Sequence, residues 1–173
     1  MANIYTENET PELKTLNDSI FKCEECPFIE GSAPELGWGT PGKIMFIRQS
    51  PSQFNREGRR GDSDFDRYFF ELLKPLGLTW KSFYFTNLIK TPVAIRTMTD
   101  EQLMHGSQHV ISEVDLVKPK VVIALGTVAY RALKGKIKLY SLLHPGLIKY
   151  GVITADDWRS ELISLLTRTR IIK

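Results

Sequence analysis

Four side chains able to bind a metal ion occur as two pairs. Cys23 and Cys26 are spaced C-x2-C, and His105 and His109 are spaced H-x3-H. Thiolate and imidazole are the ligand types of a structural zinc site, and both spacings are allowed there. Two histidines on one helix are ordinarily surface residues, so redox chemistry and a purely structural use of the cysteines stay open beside metal binding. Three other segments carry polar groups suited to recognition. They are Arg48-Gln49-Ser50-Pro51-Ser52, Thr86-Asn87-Leu88-Ile89-Lys90 and His144-Pro145-Gly146. An asparagine amide offers a donor and an acceptor, and a neutral imidazole offers one of each. Taken singly, such an asparagine is most often a turn former and such a histidine a loop residue.

The elements around these segments follow from hydrophobic period. Ile44–Ile47, Phe83–Thr86 and Val121–Leu125 are short apolar runs, as expected of strands buried on both faces. A fourth strand is expected near Leu139 to Leu142. Between them lie helical patterns: Asp64 to Leu76, ended by Gly77; Asp100 to about Val117, capped by Thr99; and Val128 to Leu133. A last amphipathic helix is expected over residues 156–169. Residues 1–20 read as an N-terminal leader or short helix, with Thr10 capping and Pro11 at its start. The glycine- and proline-rich stretch 27–43 reads as loop. Strands alternating with helices predict an α/β fold, a single three-layer αβα domain over residues 1–173 with a central four-stranded, mainly parallel sheet. In such sheets ligands bind beyond the carboxyl ends of the strands, where the three polar segments fall.

The 173 residues are 42% hydrophobic and 25% charged, an ordinary globular balance. The sequence holds no apolar run of membrane-spanning length, and its start lacks the features of a signal peptide, so a cytoplasmic protein without a membrane partner is expected. The net charge of +3 permits nucleic acid without demanding it. Arg56, Arg59 and Arg60 cluster in one glycine-containing segment, and Lys136, Lys138 and Lys149 flank His144. Clusters of this kind are solvated surface or a polyanion contact, and their place beside the polar segments favours DNA.

In order and context these segments resemble the iron–sulfur class of uracil-DNA glycosylases, often called family 4. That class carries G-E-A-P-G, T-N-x-x-K-C and H-P-S at the three loops. Lys118-Pro119-Lys120-Val121-Val122-Ile123-Ala124-Leu125-Gly126 is similar to its third strand and turn, and Gly58-Arg59 to the start of its G-R-P-F segment. The similarity runs from about Cys23 to Tyr150. The resemblance implies base flipping into a pocket. There Asn87 reads the uracil edge, and His144 donates a hydrogen bond to the departing base. The loop with Gln49, Ser50 and Pro51 lines the pocket. Arg56, Arg59, Arg60 and Lys149 hold DNA.

The chain departs from the pattern at several positions. Gln49 replaces the motif glutamate, and a glutamine cannot serve as a general base for water. Arg48 and Ser52 replace glycines, and Asn55 lies where another acid is expected. Asp62 and Asp64 are the nearby carboxylates that could act on water instead. Gly58-Arg59-Arg60-Gly61 lacks the stacking phenylalanine, leaving Phe54 and Phe65 as substitutes. Thr91 and Gly106 hold two cluster-cysteine positions, so the sequence predicts no cofactor and no four-iron cluster, with zinc on Cys23, Cys26, His105 and His109 as the alternative. The resulting expectation is a monomeric DNA N-glycosylase that excises uracil or a related modified pyrimidine. The alternative is an inactive protein of the same fold that binds nucleotide or DNA without excision.

Overall fold

A computed structural model describes residues 9–26, 31–93 and 98–172. The start of the expected leader and part of the expected loop at 27–43 lie outside the described residues. The first helix, α1 (Pro11–Phe21), begins as expected, with the Thr10 side chain accepting from the Leu13 N–H. Then come β1 (Trp38–Gly39), β2 (Ile44–Arg48), α2 (Asp64–Leu73), β3 (Phe83–Asn87), α3 (Asp100–Val117) and β4 (Val121–Leu125). The chain continues through α4 (Thr127–Leu133), β5 (Tyr140–Leu142), α5 (Gly146–Lys149) and α6 (Ala155–Arg168). Capping boxes start α2, through Ser63 and Asp66, and α3, through Thr99 and Gln102.

The strands form one sheet in the order β1-β3-β2-β4-β5. The four expected strands, β2 to β5, are all parallel. The sheet has a fifth strand where loop was expected: β1 pairs antiparallel with the outer side of β3. Two residues are too few for a periodicity signal. Their anchor is tertiary, because the buried Trp38 ring stacks on Phe85 with centroids 5.1 Å apart. The expected helix from Asp64 to Leu76 loses its α form after Leu73, and Lys74–Leu76 make a 3-10 turn. Pro75 has no N–H with which to continue the α-helical ladder.

Every residue of β2, β3 and β4 is buried, which fits their mostly apolar composition; the polar exceptions, Arg48, Thr86 and Asn87, stand at the carboxyl ends of β2 and β3. Side-chain alternation divides the core. Ile44, Phe46, Phe83 and Phe85 pack with Phe69, Leu72 and Leu73 of α2 and with Trp158 and Leu162 of α6. Met45, Ile47 and Tyr84 pack on the opposite face with Leu13 of α1, Val110 of α3 and Leu133 of α4. The fold is therefore a three-layer αβα arrangement. From β2 the chain moves to β3 on one side and later to β4 on the other, so the strand order reverses at β2. The crevice beyond such a switch point is the natural ligand site of this architecture. None of the described helices is long and apolar enough to cross a membrane.

Candidate functional site

The parallel register of β2 and β3 places Arg48 beside Asn87 at the carboxyl ends of both strands. Side chains two apart on a strand share a face. Arg48 and Asn87 therefore extend the layer of Phe46 and Phe85, toward α2. There the Arg48 guanidinium lies 4.2 Å from the centre of the Phe65 ring and 5.5 Å from that of Phe85. Its Nε donates to Asn87 Oδ1 at 2.9 Å, and its Nη2 lies 3.4 Å from the Glu35 carboxylate. Only 3% of Arg48 is exposed.

Glu35 is the hub beneath it. Fully buried, it accepts from Asn87 Nδ2 at 3.1 Å and from Asn55 Nδ2. Asn55 closes its own loop by accepting from the Arg59 N–H at 2.9 Å and donating to the Arg59 carbonyl at 3.0 Å. A buried carboxylate with three such partners keeps its charge satisfied without water. The sequence reading did not single out Glu35, since an acid in a glycine- and proline-rich stretch looks solvated. Nor did it place Arg48 against Asn87 and Phe65.

His144 completes the site from the other side. It follows β5, and its ring lies 5.4 Å from that of Phe65. Its Nδ1 accepts from the Gly146 N–H at 3.1 Å, which puts the proton of the neutral ring on Nε2. Burial, with the nearby Arg48 charge, lowers its pKa to about 4, so the ring is neutral at physiological pH. Glycines make room for it. A Cβ at Gly146 would lie 2.9 Å from His144 Nδ1, and Gly126, at φ +94°, would bring a Cβ within 3.3 Å of the His144 Cβ.

The expected site residues thus divide. Asn87, His144 and Phe65 converge, joined through Arg48. Of the two candidate stacking rings, Phe65 is in the cluster. Phe54 is 77% exposed and lines a surface cleft with Gln53, Arg56, Glu57 and Arg59. The Gln49 side chain donates weakly to the Met98 sulfur at 3.9 Å, and Met98 packs in the α1, α3 and α4 layer. Strand alternation turns position 49 away from the face that carries Arg48. Pro51 is buried and Ser50 half-buried in the same loop. Asp62 and Asp64 are exposed partners of Arg67, at 2.7 and 2.6 Å, and the carboxylate that lies beside Asn87 and Arg48 is Glu35 instead. Lys90 lies on the other face of the sheet, in a buried pair with Glu113 that also holds Thr86. Arg56, Arg59 and Lys149 are exposed and Arg60 half-buried. Arg59 pairs with Glu57 at 3.6 Å, and Lys149 lies over the Tyr68 ring.

A second cluster lies where α1 meets α3. Cys23, Cys26, His105 and His109 bring their ligand atoms within 4.8 Å of one another, a group that could hold a metal ion. The expectation that the chain carries no cofactor does not match this convergence.

Residues 34–165 match the family model described as the uracil DNA glycosylase superfamily. A protein of Thermotoga maritima named type-4 uracil-DNA glycosylase is 25% identical over 130 residues, covering 73% of this chain and 67% of the relative. One of the same name from Pyrobaculum aerophilum is 27% identical over 127 residues, covering 70% and 64%. A third, from Saccharolobus solfataricus, is 25% identical over 138 residues, covering 75% and 63%. The matched stretch spans about two thirds of the length of these relatives.

Proposed function

Because this chain belongs to the uracil DNA glycosylase superfamily, we propose that it is a DNA N-glycosylase that takes a flipped uracil or related modified pyrimidine and hydrolyses its N-glycosidic bond. The observation that carries this reading is His144. Its ring is neutral, held through Nδ1, and sits beside an aromatic face with its Nε2–H free for an acceptor. That is the donor a departing base requires as negative charge gathers on its oxygen.

The remaining roles fall to neighbours of that ring. Phe65 offers the face on which a flipped base stacks. Asn87 reads the base edge through Oδ1 and the second proton of its amide, the first staying on Glu35. Base entry displaces the Arg48 guanidinium, which covers Phe65 and occupies Asn87 Oδ1. Glu35 then loses its cationic partner and becomes the carboxylate that takes a proton from the attacking water. The water oxygen bonds to C1′ as the bond from C1′ to the base nitrogen breaks, and that bond's electron pair leaves with the base, held by the His144 Nε2–H. Arg56, Arg59, Arg60 and Lys149 supply phosphate contacts.

Arg48 also favours a second reading. A planar cation on the ring face, bonded to the reading amide, occupies the position of a base, as expected of a protein that binds DNA or nucleotide without excising anything. One experiment separates the two. Wild type and Arg48→Gly are incubated at single turnover with single- and double-stranded oligonucleotides carrying uracil or related bases, followed by alkaline strand cleavage. Cleavage by wild type supports the glycosylase. Cleavage by neither protein, with Asn87-dependent DNA binding retained, supports the binder.

A further inference from the structure

Cys23 Sγ lies 3.1 Å from His105 Nε2, and Cys26 Sγ lies 3.8 Å from the same atom and 3.5 Å from His109 Nε2. The two Nε2 atoms are 3.1 Å apart. Four ligands held about 2.0–2.3 Å from one tetrahedral ion are separated from each other by about 3.3–3.8 Å. Four of the six separations, 3.1 to 3.8 Å, agree with that tetrahedron to within a few tenths of an ångström, and all six lie within 4.8 Å, so a small side-chain adjustment closes the four atoms on one ion.

A four-iron cluster, the group the family resemblance implies, fits less well. It needs a separate thiolate on each iron. This group has two thiolates and two imidazoles, crowded about one point. Thr91 is buried without a sulfur to offer, and Gly106 is packed so tightly that a Cβ there would lie 2.4 Å from the Leu88 carbonyl oxygen. Side chains at 105 and 109, one helical turn apart, take the place of one at 106.

Two further features mark a built metal site. His105 turns its Nδ1 to the Glu25 carboxylate at 3.2 Å, which leaves Nε2 as the ligand atom. A carboxylate behind a metal-bound imidazole fixes the ring and raises its basicity. The four ligands also come from two elements distant in sequence, the turn after α1 and the middle of α3. An ion there staples the N-terminal helix to the layer behind Asn87.

We infer that Cys23, Cys26, His105 and His109 form a closed structural site for a single zinc ion, in place of an iron–sulfur cluster. Four protein ligands leave no open position, so the ion braces the fold and takes no substrate. This inference stands apart from the glycosylase reading and survives its failure.

The test uses untagged protein expressed in medium containing both iron and zinc and purified without chelators. Elemental analysis should return about one zinc per chain, with no stoichiometric iron and no acid-labile sulfide. Exchange with cobalt should give the intense visible bands of tetrahedral thiolate coordination. Removal by a strong chelator should lower the melting temperature, and added zinc should restore it. The conservative His109→Cys variant keeps four ligands and should keep the zinc, whereas Cys26→Ser should lose it or fail to fold. Iron with equimolar sulfide, or purified wild type that is metal-free and melts identically with and without added zinc, overturns the inference.

Discussion

Arg48 and Asn87 lie side by side across β2 and β3, and the Arg48 Nε donates to Asn87 Oδ1 at 2.9 Å. The amide that would read a base is therefore already engaged, and a cation covers the ring on which the base would stack. Each component of that arrangement can be tested separately.

The buried Arg48–Glu35 pair should be energetically coupled. Arg48→Ala leaves the Glu35 charge without its cation in a dry site, and should destabilise the fold by about 3 kcal/mol in urea unfolding. Glu35→Ala together with Arg48→Ala should cost less than the sum of the single changes. Strict additivity would show that the pair does not interact in solution.

His144 should make stability depend on pH in a defined direction. Its ordinary pKa of 6.5 falls to about 4 in the fold. Between those values the unfolded chain binds the proton and the folded chain does not, so stability falls as the pH drops from 6.5 toward 4, by up to ~3 kcal/mol. Asp66 opposes this. Burial, with the nearby Glu35 charge, raises its carboxyl to about 6, so its contribution grows as the pH falls through 6. The difference between wild type and His144→Asn isolates the histidine. That difference should be constant above pH 6.5 and move against wild type as the pH falls from 6.5 toward 4.

The chemistry should fail without the imidazole donor and should not respond to position 49. His144→Ala should slow single-turnover excision by ~10²-fold or more, through loss of a preplaced donor. Glu35→Gln should do similar damage to the chemical step. Gln49→Glu restores the family acid, but its side chain points to Met98, so no gain in rate is expected. A clear acceleration would return the water-activating role to position 49.

DNA affinity should depend on the exposed arginines. Each phosphate contact releases counterions, so binding weakens as salt rises. Replacing Arg56 and Arg59 by alanine should lower the salt slope by about 2, measured by fluorescence anisotropy on a labelled oligonucleotide. An unchanged slope would remove this loop from the DNA surface.

The sequence alone determined the parallel β2–β5 framework, because continuous apolar runs alternating with helical periods leave a buried parallel sheet as the economical solution. It also determined that Asn87 and His144 stand at strand ends, and that two metal-ligand pairs exist. Tertiary structure decided the rest. Trp38 became a strand residue beside distant aromatic partners, Phe70, Phe83 and Phe85, that no local pattern names. Which of Arg48 and Gln49 lies beside Asn87 depended on strand alternation at the last residue of β2, a matter of one position. Glu35 became the hub of the site through partners 13, 20 and 52 residues away. A buried charge is specified by the groups that surround it, and no local pattern records them. The cysteine and histidine pairs, 79 to 83 residues apart where they touch, are likewise two short motifs in the sequence and one cluster only after folding.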